Sequence, residues 1–318
     1  MKNLQTEKTF DVIIVGGGAA GMSAALWCDD LGLSALLLEA RAELGGQLLR
    51  VHNPLENHLG GAAKNGRAMR DVFIRQLNKR KFSLKLSSEI FALDLQRKIV
   101  RLAGGDEFSA VAGIVIATGV KRRKLNVGGE EEFIGKGIVE SGARDRNSVK
   151  GKTAAIVGGG DAAFENALIL AGETEEKAAA AKNVYLICRG ADFRARAEFV
   201  KRVSAHPKIE ILTETIVREI GGGEGLEFVR LENLRTKKNF KLPIEALLIR
   251  AGVEPNTGIF RGKLDLDEQG FIKIDSSCQT NVKGVFAVGD VASPLAPTLS
   301  GAVGMGATAV KTIRESEK

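Results

Sequence analysis

Two stretches of this chain are built alike: "FDVIIVGGGAAGMSAALWCDDLGLSALLLEA", beginning at Phe10, and "KTAAIVGGGDAAFENALILAG" followed by "NVYLIC", beginning at Lys152. Each reads as a strand, a glycine turn, a helix and a second strand, within the roughly 30 residues of a βαβ unit. Val12 to Val15 form an unbroken run of β-type apolar residues, the pattern of a strand buried on both faces of a parallel sheet. Two such units in 318 residues predict an α/β protein with two Rossmann-like nucleotide-binding domains. Between them, "FSAVAGIVIATGV" is a strand that stops at Thr118-Gly119, and the basic run Lys121-Arg122-Arg123-Lys124 reads as a solvated connector where the chain crosses between domains. A second crossing is expected near "PIEALLIRAGVEPN", after which "GVFAVGDV" supplies another strand and turn. The first domain is therefore expected to be discontinuous, residues 1–119 and 246–318, with residues 120–245 inserted. The stretch 172–183, rich in Ala, Glu and Lys, is expected to extend a helix or form a solvated loop without chemistry.

The glycine turns carry the chemistry. Gly16, Gly18 and Gly21 make G-x-G-x-x-G: the first permits a tight turn, the second lets the backbone approach a diphosphate, and the third lets helix and strand pack closely. The diphosphate rests on the helix N-terminus, where unpaired N–H groups and the helix dipole favour an anion. Glu39, at the end of the following strand, can accept hydrogen bonds from ribose hydroxyls, as the dinucleotide fingerprint requires. Gly158, Gly160 and Ala163 repeat the device as G-x-G-x-x-A. Here the next strand ends not in an acid but in Cys188-Arg189, with Arg194 and Arg196 beyond it. A carboxylate would repel a 2′-phosphate and a guanidinium offers it a planar fork of donors, so NADPH is expected over NADH. The competing reading of these arginines is ordinary surface charge. Asp290, after the "VFAV" strand, is a candidate hydrogen-bond acceptor.

Composition limits the remaining choices. Lys plus Arg outnumber Asp plus Glu by 46 to 39, a net charge of +7 that favours acidic partners. One Trp, one Tyr and scattered basic residues do not make a nucleic-acid groove, so no nucleic-acid partner is expected. No stretch approaches the roughly 20 apolar residues of a membrane span, and a soluble cytoplasmic protein is expected. Cys28, Cys188 and Cys278 are odd in number and far apart, which argues against a disulfide framework or a metal site.

The ordered set "VGGGAAG", "ELGGQL", "VIATG", "VGGGDAA", "CRGADFRA" and "GVFAVGD" resembles the small two-domain, thioredoxin reductase-like flavoproteins over nearly the whole chain. The resemblance implies FAD in the first domain, NAD(P)H in the inserted one, and a homodimer. It implies that Gly16, Gly18, Gly21 and Glu39 hold the ADP half of FAD and that Gly46, Gln47 and Asn57 lie along the flavin half. By the same resemblance Thr118 and Gly119 line the crossing, and Gly289 and Asp290 contact the ribityl and diphosphate. The departures are as informative. Thioredoxin reductases carry Cys-x-x-Cys-Asp before the second glycine turn, where this chain reads Ser141-Gly142-Ala143-Arg144-Asp145. Disulfide exchange needs a thiolate to attack and a second sulfur to resolve, which Ser and Arg cannot supply. Bacillithiol disulfide reductases place a cysteine in the first glycine turn, where this chain has Ala20. Gly190 stands where the family has a second arginine, which keeps NADH open as a donor. The segment "SPLAPTLSGAVGMGATAV" is similar to the ferredoxin-NADP reductases of the same fold. Cys28 on a helix, Cys188 after a strand and Cys278 in a strand-like run are expected to be packed small side chains. The function implied is an NAD(P)H-dependent flavoprotein reductase passing electrons to an acidic carrier such as ferredoxin or flavodoxin, or running in the reverse direction. Reduction of a small electrophile, a quinone or oxygen, is the alternative within enzymes, and a non-catalytic flavin binder or sensor is the alternative outside them.

Overall fold

The computed structural model describes residues 8–173, 180–295 and 297–317. The chain divides into two units, Met1–Lys121 with Glu254–Lys318, and Arg122–Val253. In the first unit the elements are β1 (Lys8–Val15), α1 (Ala19–Asp30), β2 (Ala35–Leu38), α2 (Gly66–Leu77), β3 (Ser83–Lys85), β4 (Ile90–Asp94), β5 (Ile99–Leu102) and β6 (Glu107–Ile116), and β7 (Val120–Arg122) carries the chain across the boundary, with Arg122 in the second unit. The second unit follows with β8 (Ile138–Val139), α3 (Gly142–Val149), β9 (Thr153–Val157), α4 (Asp161–Ala171), β10 (Asn183–Ile187), α5 (Ala197–Ala205) and β11 (Ile209–Leu212). It continues through β12 (Thr215–Gly222), β13 (Leu226–Asn233), β14 (Asn239–Pro243) and β15 (Ala246–Ile249), and the chain then runs by β16 (Val253–Pro255) into β17 (Val285–Ala287) and α6 (Leu299–Ser316) of the first unit.

The first sheet has the order β3-β2-β1-β6-β5-β4, with β17 also pairing β6. Strands β1, β2, β3, β6 and β17 are parallel, while β4 and β5 return antiparallel. The alternation of side chains along β1 divides its core in two. Val12 and Ile14 pack with residues of α1 and α6, such as Ala24 and Val310, while Ile13 and Val15 pack with Val100, Phe260 and Ile272 on the opposite face. All four are buried, which is why this strand has no polar position there, and each contributes about 1.5–3 kcal/mol of apolar burial. Helix α6 approaches α1 closely because Gly306 lacks a side chain: a Cβ there would lie 2.4 Å from the Ala20 carbonyl oxygen.

The second unit repeats the plan with the order β11-β10-β9-β15-β8, all parallel. Ala154, Ile156 and Leu186 face α4 and α5 through Phe164 and Val203, and Ala155, Ile187 and Leu247 face the antiparallel sheet β12-β13-β14 through Val217, Val229 and Leu231. Strand β15, expected from the sequence to begin the returning segment of the first domain, pairs with β9 inside this sheet, so the crossing falls at Val253/Glu254. Nor is the basic run a bare solvated connector. Val120–Arg122 is a strand paired with β16, Lys121 makes an ion pair with Glu254 at 3.1 Å, Lys124 with Glu131, and Arg122 donates to the Glu140 carbonyl. Helix α4 stops at Ala171 because Gly172 takes a left-handed φ of 93°. Most of the Ala/Glu/Lys stretch beyond it, residues 174–179, lies outside the described residues.

Candidate functional sites on the two glycine turns

In the first unit, β1 delivers the chain into Gly16 at φ 107°. A Cβ at Gly16 would sit 2.4 Å from the Ala117 carbonyl oxygen, and one at Gly21 would sit 1.9 Å from the Gly16 carbonyl oxygen. The first glycine therefore lets the turn pass the end of β6, and the third lets α1 seat on the turn. Gly18, the N-cap of α1, faces Gly46: a Cβ on Gly46 would come within 2.9 Å of the Gly18 Cα. The result is a cradle free of side chains at a helix N-terminus. Glu39 closes one side. Its carboxylate is buried, with Oε2 accepting the Gly17 N–H at 2.7 Å and Oε1 accepting the Arg41 N–H at 2.9 Å.

Gly289, at φ 72°, brings the turn after β17 against the start of α1, where a Cβ would lie 2.9 Å from that of Ala20. Asp290 follows it, half-buried, and burial pushes its carboxyl above the ordinary range. No protein group hydrogen-bonds that carboxyl among the described residues. Gln47 donates to the Val120 carbonyl. Thr118 and Asn256 exchange side-chain bonds with each other's carbonyls at 3.0 and 2.8 Å, and the Asn256 N–H reaches Gly119 O at 2.9 Å. Asn57 sits on an exposed loop closed by the Leu55–Ala63 pairing, and no hydrogen bond among the described residues joins it to the cradle. Asn256 was not singled out from the sequence; its only signal is the "EPNTG" turn after the crossing.

The arrangement fits FAD. A side-chain-free helix N-terminus suits a diphosphate, the pinned Glu39 carboxylate keeps acceptor capacity for hydroxyls, and the unpartnered Asp290 carboxyl is an acceptor in want of a donor.

In the second unit Gly158 takes φ 150°, and a Cβ there would lie 2.3 Å from the Arg250 carbonyl oxygen. Around Gly160, the N-cap of α4, a Cβ would meet nothing within 4 Å, so this turn too is open. Ala163 is fully buried and its N–H bonds Gly160 O at 2.9 Å. The three arginines divide in role. Arg196 is committed to Asp161, through its backbone N–H at 2.7 Å and Nε at 2.9 Å, and stacks over Phe199 at 4.5 Å. Arg189 and Arg194 are exposed, neither guanidinium has a hydrogen-bond or ion-pair partner among the described residues, and the Arg194 N–H ties its loop to Gly159 O at 2.8 Å.

The Ser141–Asp145 segment is a helix start. Ser141 is the N-cap of α3, its Oγ accepting the Arg144 N–H at 3.3 Å. Asp145 Oδ2 accepts the N–H groups of Glu140 and Ser141 at 2.9 and 3.0 Å, and Asn166 Oδ1 accepts that of Gly142 at 2.9 Å. The Arg144 guanidinium is held by Asp145 at 2.6 Å and Glu140 at 3.1 Å. The three thiols are free, buried and apart. Burial pushes Cys28 up to about 12, with Asp11 adding to the rise, Cys188 to about 11, and Cys278 to about 11, with Asp275 adding. Cys188 donates to Gly158 O at 3.3 Å. Cys278, expected in a strand-like run, instead sits in a turn at φ 67°, its N–H bonded to Asp275 O.

Comparison with known proteins agrees with this architecture. Residues 10–309 match the family model described as pyridine nucleotide-disulphide oxidoreductase. The chain is 32% identical to thioredoxin reductase of Streptomyces coelicolor over 292 residues, covering 88% of this chain and 85% of that one. It is 29% identical to a 34.2 kDa protein in the rubredoxin operon of Clostridium pasteurianum, covering 96% of each. The crystal structure of Lactococcus lactis thioredoxin reductase in its FR conformation superposes with a TM-score of 0.84 at 28% identity, covering 96% of this chain and 98% of the other. With two open glycine turns, one on a mainly parallel and one on a parallel sheet, and a family match that spans nearly its full length, the chain belongs to the pyridine nucleotide-disulphide oxidoreductases, enzymes that use FAD and NAD(P)H.

Proposed function

We propose that this oxidoreductase takes hydride from NADPH, with NADH as a second donor, and delivers the electrons to an acidic carrier protein of the ferredoxin or flavodoxin kind without any dithiol step. The observation that carries the reading is the state of the side chains where exchange chemistry would need sulfur. Ser141 is occupied as a helix cap, Arg144 is held by two carboxylates, and all three thiols are buried with pKa values far above neutrality. A thiol that stays protonated neither attacks a disulfide nor resolves one. In this reading Gly16, Gly18, Gly21 and Gly46 admit the FAD diphosphate, Glu39 accepts from its ribose and Asp290 from its ribityl chain. Gly158, Gly160 and Ala163 seat the pyridine nucleotide, and Arg189 and Arg194 take the 2′-phosphate. Bound FAD accepts two electrons from a nicotinamide and gives them up singly or together, and the protein sets the binding and the electrostatics. The net charge of +7 supports an acidic acceptor, and the name of the C. pasteurianum relative, which places it in a rubredoxin operon, supports a small redox protein.

The test is to reduce the FAD-loaded protein with NADPH or NADH and offer ferredoxin, flavodoxin, rubredoxin, thioredoxin and a quinone in turn. Rapid reoxidation by an iron–sulfur or flavin carrier is the expected result. Preferential reduction of thioredoxin, or reoxidation by the quinone alone, would overturn it, and a flavin that NADPH fails to bleach would point to a binder without turnover.

A further inference from the structure

In the second unit the strand order reverses direction about β9: β10 and β11 lie on one side of it, β15 and β8 on the other. In open parallel sheets of this kind ligands bind in the crevice beyond the carboxyl ends of the strands at that switch point, here the ends of β9 and β15. Strand β9 runs into the glycine turn. Strand β15 runs into Arg250, whose N–H bonds the Val157 carbonyl at 2.7 Å and whose own carbonyl oxygen is the atom that a Cβ at Gly158 would strike. Arg250 is thus part of the frame of the turn, and its side chain is a charge with an unusual setting.

Arg250 is half-buried. It donates to two carbonyls, Ile249 O at 3.1 Å and Glu140 O at 2.8 Å, and no carboxylate lies within ion-pair distance among the described residues. The Glu140 carbonyl also receives Arg122, so two guanidinium groups converge on one oxygen. Burial, and then the charge of Arg122, bring Arg250 down to about 10, while Glu165, Asp145 and Glu140 act in the opposite sense. A partly desolvated cation beside a like charge costs free energy, and a bound anion would lower that cost. Two of the five N–H donors of Arg250 are spent on carbonyls, and three remain.

We propose that Arg250, with Arg122 beside it, is a binding site for a phosphate group of the pyridine dinucleotide seated on the second glycine turn. The proposal rests on the reading that this turn holds the nucleotide. It adds to the turn a cation on the opposite wall of the crevice, which the glycine pattern does not contain. The phosphate can come from the diphosphate, common to NAD and NADP, or from the 2′-phosphate of NADP alone, and the two sources are separable by experiment.

The experiment is calorimetric binding of NAD+ and NADP+ to the FAD-loaded protein and to its Arg250→Met, Arg250→Lys and Arg122→Met variants, with no turnover involved. Loss of hydrogen bonds to a charged group predicts weakening by about 10- to 100-fold in Arg250→Met, with partial recovery in Arg250→Lys. Weakening of both dinucleotides by the same factor assigns the diphosphate, and weakening of NADP+ alone assigns the 2′-phosphate. A parent-like affinity for both in Arg250→Met, at unchanged melting temperature, overturns the proposal. If that variant melts lower, the outcome passes to Arg122→Met, whose guanidinium reaches in from another strand and which should weaken binding several-fold. The underlying reading is checked separately with Gly160→Val, which fills the open turn. Binding that survives Gly160→Val would remove the nucleotide from the turn, whatever the arginine variants do.

Discussion

Glu39 shows how much a single carboxylate carries. It is the buried acceptor for two backbone N–H groups, those of Gly17 and Arg41, so it fixes the shape of the first glycine turn before any ligand arrives. Replacing it with alanine strands both donors and removes the acceptor proposed for the ribose. Charge-assisted bonds of this kind are worth about 1.5–3 kcal/mol, so Glu39→Ala should weaken FAD binding by about 10- to 100-fold in a fluorescence titration of the apoprotein. Equal affinity in the variant would show that the ribose is held elsewhere. The cysteines make the opposite prediction. Because each is buried and protonated, the Cys28→Ala, Cys188→Ala, Cys278→Ala triple variant should keep its turnover with NADPH and carrier while melting at a lower temperature, since each truncation leaves a small void. Turnover that vanished while the flavin stayed bound would return sulfur to the mechanism.

At the scale of elements, α3 is held at its start by polar side chains. Ser141 caps the helix and Asp145 gathers two N–H groups that precede it, while Arg144 spans Asp145 and Glu140 across the surface. Loss of the cap in Ser141→Ala should cost about 1 kcal/mol, read as a drop in urea midpoint. Burial alone would raise the Asp145 carboxyl, but the bond from Arg144 and the N–H groups of Ser141 and Glu140 outweigh it and hold it below the ordinary 3.8. A carboxyl depressed in the folded state adds stability that is complete above its unfolded value and is lost as the pH falls through its folded one. Stability should therefore decline below about pH 4 more steeply in the parent than in Asp145→Asn, and parallel acid limbs would contradict this.

The same elements mark what could be read in advance. The glycine turns, Glu39 and the strand VIIV were legible because a local spacing dictates a local geometry. The setting of Arg250 was not, because a lone arginine after an apolar strand gains meaning only when the fold brings the Glu140 carbonyl and Arg122 beside it. The crossing lies several residues beyond "ALLI" for a related reason: that run is equally apolar whichever sheet receives it, and only its pairing with β9 assigns β15 to the second unit.

For the molecule as a whole, charge separates the candidate acceptors. A protein of net charge +7 attracts an acidic carrier over distances set by ionic screening, and that range shrinks from about 10 Å at 0.1 M salt to about 3 Å at 1 M. Steering acts on encounter, so it enters kcat/KM for the carrier and leaves the hydride step from nicotinamide untouched. Turnover with ferredoxin or flavodoxin should therefore fall steeply in kcat/KM as salt rises, whereas turnover with an uncharged quinone should stay level over the same range. Salt would also weaken the phosphate binding proposed for Arg189, Arg194 and Arg250. Measuring the carrier at saturating NADPH removes that contribution. A flat carrier profile under those conditions would mean that the positive charge serves only the nucleotide, and the acceptor would then have to be sought among small neutral molecules.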